Sequence, residues 1–396
     1  MPAWDSVAQS GGPARLVAAA SQRPDVIRAL AWVVEHTDAL EREIAAIAAI
    51  PSPTFAEHAR ATYVAQRLAQ LGARDVCAFG DNNVCGRLGP DAGSGIALLA
   101  HLDTVFPTTL GHEVTRRKGR LYGPGVGDNA AGVAGLLGVL AALVEGGVAL
   151  KRPLWFVGDA AEEGLGDLRG ARQTMVQLDG RLEAVIAVEG TMLGRLGHIA
   201  VGSKRLRVHF SAPGGHSWLD FGRPSAVHAA VAAAAKVAAL PVPREPRTTI
   251  NVGRIEGGEG VNVIASSAEF LLDLRSVDSG ALDRLLARVG EILEGARRTP
   301  GISVQIEQVG DRPVGAIPRV HPLVELCAAA IERVGLQPEP TAGSTDANVP
   351  LSMGVPAVAL GITRGGGIHS TGEWIELDPL PYGVRQLVLV CAALVG

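Results

Sequence analysis

Hydrophobic and polar positions along most of the chain follow the pattern of an α/β protein. The short apolar runs typical of buried strands are "DVCAFG", "NVCGRLG", "GIALLAHLD", "PLWFVGDA" and "EAVIAVEG". Long Ala/Leu/Val segments with helical character separate the later runs. Strands that alternate with helices predict a largely parallel sheet with both faces covered.

Two amphipathic helices are predicted before the first strand, in "ALEREIAAIAAI" and "AEHARATYVAQRLAQLG". A Pro-rich loop, "PSPTF", separates them. We expect residues 1–30, ahead of both helices, to form a loose extension.

The pattern changes at about residue 204. "KRLRVHFSA" alternates like a half-exposed strand, and a helix, two strands, a helix and a strand follow it. This β-α-β-β-α-β order predicts a small α+β domain of its own. The α/β pattern returns at about residue 314. We therefore expect a catalytic domain from residues 1–203 plus 314–396, interrupted by a lid or dimerisation domain at 204–313.

Composition narrows the class of protein. A chain of 396 residues with 47% hydrophobic residues has material for two packed domains. The net charge of −4 provides no basic surplus for nucleic acid. The N-terminus lacks a signal-peptide pattern, and four scattered cysteines suit a reducing compartment. The apolar stretch at 130–150 contains Glu145, which favours a buried helix over a membrane span. We expect a soluble, cytoplasmic protein.

One apolar strand ends in an unusual pair of polar residues. In "LLAHLDTVFP", residues 98–107, His101 and Asp103 share one face of the strand, whereas Leu102 points to the other. Polar groups at the end of a buried strand need partners. A His–Asp hydrogen bond at a surface loop and a functional site both account for the pair.

Four more segments carry acids or a histidine where a strand is expected to stop. These residues are Asp128, Glu162 with Glu163, Glu189 and His369. In an open α/β sheet, the loops at the carboxyl ends of the strands form the site crevice, so these residues are expected to converge there.

Each residue also has a structural interpretation. Asp128 suits a helix N-cap, and the Glu162–Glu163 pair suits a solvated helix start. Glu189 and His369 suit surface loops. The functional interpretation depends on the whole ordered set.

Clustered carboxylates repel one another unless a cation neutralises them. Mixed imidazole and carboxylate ligands suit zinc, with cobalt and manganese as alternatives. Such a set, with one bridging carboxylate, can hold two ions about 3.5–4 Å apart. Because adjacent side chains diverge, one of the two neighbouring glutamates can bind metal while the other accepts a proton from water.

With these residues the chain resembles the two-metal aminoacylase/carboxypeptidase metallopeptidases. Relatives of that kind include acetylornithine deacetylases, succinyl-diaminopimelate desuccinylases, glutamate carboxypeptidases and tripeptide aminopeptidases. The resemblance covers nearly the whole chain after residue 30. It implies a phosphorylase/hydrolase-like catalytic domain with an inserted lid domain, and two divalent ions, zinc first.

The resemblance also implies roles for the strand-end residues. His101 and Glu189 would bind one ion, Glu163 and His369 the other, and Asp128 would bridge both. Asp103 would orient His101. Glu162 would be the general base.

The resemblance further implies a substrate-binding set. In "SAPGGHSW", His216 would polarise the scissile carbonyl in the site of a partner subunit. Asn262 and Arg275 would hold the substrate carboxylate. Within "AGSTDAN", Gly343 and Ser344 would lie near the ligand. The competing interpretations are a turn histidine stacked on a tryptophan for His216 and a salt bridge along a sheet face for Arg275.

The expected activity is hydrolysis of an amide bond in a small peptide or N-acyl amino acid by metal-activated water. A homodimer is expected if His216 acts in the partner's site. Hydrolysis of an N-carbamoyl or ureido bond is an alternative within the same class. A non-catalytic peptide- or metal-binding relative is an alternative from another class.

Overall fold

The computed structural model describes residues 12–396. The chain forms two compact units. The first comprises the chain up to Ala200 together with Ala316–Gly396, and the second is Val201–Gly315.

The elements of the first unit alternate between helices and strands. Its helices are α1 Pro13–Gln22, α2 Pro24–Glu35, α3 Thr37–Ala48, α4 His58–Gln70, α5 Ala131–Gly146, α6 Arg169–Gln177, α9 Pro322–Arg333, α10 Asn348–Ser352 and α11 Leu380–Val395. Its strands are β1 Arg74–Phe79, β2 Asn83–Leu88, β3 Gly95–His101, β4 Thr115–Arg117, β5 Arg120–Tyr122, β6 Leu154–Asp159, β7 Leu182–Glu189, β8 Arg195–Ala200, β16 Glu339–Gly343, β17 Ala357–Gly361, β18 Gly365–Gly366 and β19 Trp374–Glu376. Strand β15, Gly315–Ala316, lies at the boundary between the units.

A mixed sheet organises the first unit, in the order β1-β2-β6-β3-β7-β17-β8-β15, with β16 also pairing β8. The four central strands β6, β3, β7 and β17 are parallel, as the sequence predicts. Neighbouring residues on these strands belong to two different hydrophobic cores, with Leu98 in one and Leu99 in the other. Because both faces are covered, the strands are continuously apolar.

The long apolar segment after residue 130 is a core helix. Among the described residues, one segment, Val126–Gly146, is long and apolar enough to cross a membrane, and 94% of its apolar window is buried in the fold. The sequence interpretation of this segment as a buried helix is confirmed.

The prediction of a loose N-terminal extension is wrong for the part that the structure describes, and residues 1–11 lie outside it. Helices α1 and α2 bury Val17, Val26 and Ala29 in the main core. Both helices carry Pro at N1 or N2, where its fixed φ favours the start of a helix.

The second unit has the predicted β-α-β-β-α-β order. Its main elements are β9 Gly202–Ser211, α7 Ala226–Ala238, β11 Thr248–Gly257, β13 Ser267–Ser276, α8 Ser279–Arg297 and β14 Ser303–Arg312. The four strands form an antiparallel sheet in the order β11-β13-β9-β14. Its buried residues form a core with α7 and α8. A short pair, β10 Gly215–His216 and β12 Val263–Ile264, stands apart from this sheet.

A small antiparallel sheet in the first unit, β18-β19-β5-β4, differs from the expected arrangement. Asp128 lies in the irregular turn 126–130 that follows β5, and His369 lies in the loop between β18 and β19. The sequence pattern predicts that both residues follow strands of the main sheet. That prediction is wrong, because both follow strands of the small sheet.

Candidate metal centre

His101 ends strand β3 and is 2% exposed. Its two ring nitrogens face different groups. Nδ1 lies 3.1 Å from the carbonyl oxygen of Asp103 and 3.5 Å from its Oδ1. Nε2 lies 3.0 Å from Oδ1 of Asp128. An Nδ1–H that donates to Asp103 leaves Nε2 as the nitrogen that can bind a metal ion.

The carboxylate of Asp128 stands between two histidines. Its Oδ1 faces His101, and its Oδ2 lies 3.1 Å from Nε2 of His369. Asp128 makes no side-chain capping hydrogen bond, and the N-cap of α5 is Ala130. The capping interpretation is therefore excluded, and both oxygens are directed at the imidazole rings.

Glu162 and Glu163 follow strand β6 and are 6% and 7% exposed, so they do not form a solvated helix start. Oε1 of Glu163 lies 2.9 Å from Nε2 of His369. The buried carboxylate of Asp103 accepts the backbone N–H of Glu162 at Oδ1 (3.0 Å) and that of Glu163 at Oδ2 (2.9 Å). Asp103 thus orients both His101 and the two glutamates.

His101, Asp128 and Glu163 form a cluster of candidate metal ligands. Each offers one ligand atom, and these atoms lie within 4.8 Å of one another. Glu189, at the end of β7, is half-buried and interacts electrostatically with His101 and Asp128. His369 completes the set through its contacts with Asp128 and Glu163.

The protonation of the site fits a cation-binding centre. Burial alone would lower the pKa of His101, but hydrogen bonds with Asp103 and Asp128 raise it well above its usual value. Hydrogen bonds with Asp128 and then Glu163 raise the pKa of His369 to about 10. Burial raises the pKa of Glu189 to about 8. Protons thus supply the positive charge that the carboxylates need, and divalent ions can take their place at the same atoms.

Several residues that hold the candidate ligands in place could not be predicted from the sequence pattern. Glu373 is buried and accepts the N–H groups of Gly125, Gly127 and Asp128 at 3.2, 2.7 and 2.8 Å. Its carboxylate fixes the turn that carries Asp128. In the sequence, Glu373 is an acid four residues after His369, and nothing there distinguishes it from an ordinary loop residue. Asn129, the residue after Asp128, donates its side-chain N–H to the carbonyl of Val188 at 2.9 Å.

Two more unpredicted residues support Asp103. Thr54 donates its hydroxyl to Oδ2 of Asp103 at 2.8 Å. Arg60 is completely buried and donates to the carbonyls of Leu102 and Ile50 at 2.8 and 2.7 Å. Desolvation lowers the pKa of Arg60 to about 10, against an opposing effect of the Asp103 charge. In the sequence, Arg60 is an arginine within an amphipathic helix pattern, and this pattern does not predict that its side chain is buried against the carbonyls of Leu102 and Ile50.

Gly343 ends β16, and Ser344 begins the loop that follows this strand in the first unit. The loop carries Asp346, which is 1% exposed and interacts electrostatically with Glu162. Asp346 also faces Asp159, the last residue of β6. The loop therefore lies within electrostatic range of Glu162, and the contacts of Gly343 and Ser344 with a ligand stay a prediction.

Three predicted residues, His216, Asn262 and Arg275, belong to the second unit. The carbonyl of Asn262 accepts the N–H of Ser217 at 3.0 Å, beside the β10–β12 pair that carries His216. Nδ1 of His216 accepts the backbone N–H groups of Trp218 and Leu219 at 3.2 and 3.3 Å. The backbone, rather than the indole ring, therefore positions this imidazole.

Arg275 makes an ion pair along the face of its sheet. Its Nε lies 2.7 Å from Oδ2 of Asp273, two residues earlier on strand β13. This ion pair is the salt bridge along a sheet face that the competing interpretation of Arg275 predicts. The role of Arg275 toward a substrate carboxylate stays a prediction.

Comparison with known proteins agrees with this geometry. A model described as peptidase family M20/M25/M40 matches residues 97–393. Acetylornithine deacetylase of Myxococcus xanthus is 30% identical over 315 residues, which cover 73% of this chain and 78% of that protein. These matches confirm the resemblance that the motifs indicated.

Solved structures share the fold. A tripeptidase from Staphylococcus aureus matches with a TM-score of 0.77 at 22% identity, covering 90% of this chain and 98% of that one. A Bacillus subtilis protein, described as a dinuclear metal binding peptidase from the M20 family, matches with a TM-score of 0.66 at 16% identity. That match covers 90% of this chain and 98% of the other. The chain therefore belongs to peptidase family M20/M25/M40 and is a metallohydrolase of the peptidase and deacylase type.

Proposed function

We propose that this protein hydrolyses an amide bond of a small peptide or an N-acyl amino acid, with two divalent metal ions as cofactors. The observation that carries the proposal is the position of Asp128, whose two carboxylate oxygens face His101 and His369. The name of the deacetylase relative supports an N-acyl amino acid, and that of the tripeptidase supports a peptide.

The two ions would share Asp128. His101 and Glu189 would complete the ligands of one ion, and Glu163 and His369 those of the other. Imidazole and carboxylate ligands suit zinc, with cobalt or manganese as alternatives. Divalent ions at such a site supply Lewis acidity, which lowers the pKa of water and polarises a carbonyl oxygen.

Glu162 would carry the proton during the reaction. Its backbone N–H donates to Oδ1 of Asp103, and the next residue is the proposed ligand Glu163. The carboxylate of Glu162 would accept a proton from the attacking water and return it to the leaving amine. Asp103 would act through its hold on His101 and on the backbone of both glutamates.

His216 would stabilise the developing negative charge on the carbonyl oxygen. Because Nδ1 accepts two backbone N–H groups, the neutral ring carries its proton on Nε2. That N–H can donate to an oxyanion. Asn262 and Arg275 would bind the substrate carboxylate, with Gly343 and Ser344 near the ligand. We propose that His216 acts in the site of a partner subunit and that the protein is a homodimer.

We also propose a cytoplasmic location. The four cysteines are all free thiols, which suits a reducing compartment.

Amine release from a panel of di- and tripeptides and of N-acetyl, N-succinyl and N-carbamoyl amino acids tests the function. Chelated protein is compared with protein refilled with zinc, cobalt or manganese. We expect hydrolysis only in the refilled protein, and the best substrate identifies the bond. Preference for the N-carbamoyl compounds would replace the proposed substrate class. Binding of two ions without cleavage of any compound would favour a non-catalytic relative.

A further inference from the structure

We propose that Glu57 is a positioning residue that fixes the loop carrying Glu162, with Asn83 as its partner in this role. The inference rests on the proposed function, in which Glu162 carries the proton. Neither Glu57 nor Asn83 belongs to the candidate metal ligands or to the residues expected to touch substrate.

Four consecutive backbone amides of this loop donate to buried side-chain oxygens. Ala160 donates to Oδ1 of Asn83 at 2.9 Å, and Ala161 donates to Oε1 of Glu57 at 3.1 Å. The next two amides donate to the two oxygens of Asp103. Loop amides usually donate to backbone carbonyls or to water, whereas here three side chains accept the hydrogen bonds of all four amides.

The contacts of Glu57 point toward the loop and away from its own helix. Glu57 is 1% exposed and precedes α4 at the N-cap position, yet its side chain makes no capping hydrogen bond. Besides Ala161, its Oε1 accepts the N–H of Phe55 at 2.7 Å, and its Oε2 accepts from the side-chain amide of Asn82 at 3.0 Å. Stabilisation of its own helix therefore does not account for this buried acid.

The loop needs such support because its backbone conformation is unfavourable. Ala161 has φ +56°, in the left-handed region that residues with a Cβ rarely adopt. The direction of the Glu162 side chain depends on this turn, since Glu162 is the next residue. The hydrogen bond from Ala161 to Glu57 fixes the amide at the turn itself.

Asn83 closes the loop from its other side. It is completely buried, and its Nδ2 donates to the carbonyl of Gly170 at 2.9 Å while its Oδ1 holds Ala160. One side chain therefore joins the two ends of the segment between β6 and α6. Asn83 begins β2 and Asn82 lies in the turn before it, so the β1–β2 hairpin supplies both asparagines.

Loss of the Glu57 carboxylate should affect the proton carrier more than the ligands. Asp103 still holds the amides of Glu162 and Glu163, whereas the amide of Ala161 loses its acceptor. Misplacement of a catalytic group by about 1 Å can cost about 100-fold in rate. We expect Glu57→Ala to lower kcat by about 10- to 100-fold with little change in KM or in metal content.

Two variants make the test independent of simple destabilisation. Glu57→Gln keeps an oxygen for Phe55 and Ala161, and the amide of Asn82 can turn to match it, so we expect near-wild-type kcat. Glu57→Asp keeps the charge but shortens the reach, so we expect the same fall in kcat as for Glu57→Ala. The matched control is Glu43→Ala, which removes a carboxylate bonded by Tyr63 and Arg67 in contacts that do not involve this loop.

The experiment combines steady-state kinetics of the metal-filled proteins with amide hydrogen exchange of the metal-free proteins. Exchange in the peptide spanning residues 160–163 should be faster in Glu57→Ala and Glu57→Asp, and unchanged in Glu57→Gln and Glu43→Ala. Unchanged exchange in Glu57→Asp would overturn the inference. A loss of activity in Glu57→Ala that appears only as a higher KM, with unchanged kcat, would also overturn it. If the metal-filled wild type cleaves no compound, the proposed function fails, and the exchange measurement still decides whether Glu57 holds the loop.

Discussion

His369 reaches Asp128 from a loop of the small four-stranded sheet, and its Nε2 lies 3.1 Å from Oδ2 of that carboxylate. The other oxygen of Asp128 faces His101 at the end of the main sheet. The two sheets therefore meet at one carboxylate. An arrangement of two imidazoles on one carboxylate is well suited to a pair of metal ions with a bridging ligand.

Substitution of Glu162 should separate catalysis from metal binding. We expect Glu162→Gln to lower kcat by about 100- to 10,000-fold, because a positioned general base contributes a factor of this size. Metal content should stay at the wild-type value, since the adjacent Glu163 keeps its contact with His369. Steady-state kinetics with elemental analysis checks both expectations. Glu145→Gln, at an exposed position on α5, is the matched control.

The ligands should differ in their effect on metal stoichiometry. We expect Asp128→Asn to remove both ions, because its carboxylate faces both histidines, and His369→Ala to remove one. Elemental analysis after dialysis measures the metal content. His228→Ala, at an exposed histidine of α7, should change nothing. Equal metal content in the Asp128→Asn and His369→Ala proteins would contradict a bridging role for Asp128.

The metal-free protein should lose stability as the pH rises. Burial raises the pKa of Glu189 from 4.5 to about 8, that of Glu373 from 4.5 to about 7, and that of Asp159 from 3.8 to about 7. At a pH between the ordinary pKa of each acid and its raised pKa in the folded protein, the folded protein binds more protons than the unfolded chain. The free energy of unfolding therefore falls as the pH rises through this range. Contacts with Asp128 and Glu163 raise the pKa of His369 to about 10, so their stabilisation is complete below pH 6.5 and is lost toward pH 10.

Unfolding midpoints in chelator from pH 5 to 9 measure this slope. We expect Glu189→Gln to flatten the slope and bound metal to remove most of it, because ligation favours the ionised carboxylates. A midpoint of the chelated wild type that rises over this range would be incompatible with the buried protonated acids.

His216 should act on the reaction and not on the ligands. We expect His216→Ala to lower kcat by about 100- to 1000-fold, the range for loss of one oxyanion-stabilising donor, with unchanged metal content. His228→Ala, in the same unit, is the control. Mixing His216→Ala with Glu162→Gln tests the dimer, because action in the partner's site would restore part of the activity in the mixed dimers. No recovery in a confirmed mixed dimer would place both residues in one subunit's site.

Much of the fold follows from local patterns. The continuous apolar runs identify strands covered on both faces, and Leu98 and Leu99 belong to different cores as that pattern requires. The change to alternating burial in β13 marks the second unit. The N-terminal helices were missed because their apolar faces pack onto a core built by later parts of the chain, including α9 and α11. Local sequence carries little information about such a distant partner.

The candidate ligands could be predicted as a set, but their supports could not. His101, Asp128 and Glu163 are unusual where they occur, since polar residues interrupt apolar patterns there. Glu57 and Glu373 act by accepting backbone N–H groups from distant loops. Any acid in a loop or at a helix start looks the same in the sequence. Only the folded chain shows which acids are buried against a loop.

A metal titration of the chelated protein tests the central claim most directly. Zinc is added in steps to protein of known concentration, and hydrolysis of the best substrate of the panel is followed together with bound metal. We predict that activity rises with binding and reaches its plateau at two ions per chain, and that the plateau activity of Glu162→Gln is about 100- to 10,000-fold lower. Substrate hydrolysis that persists in fully chelated protein, or a wild type that binds no zinc, would contradict the account.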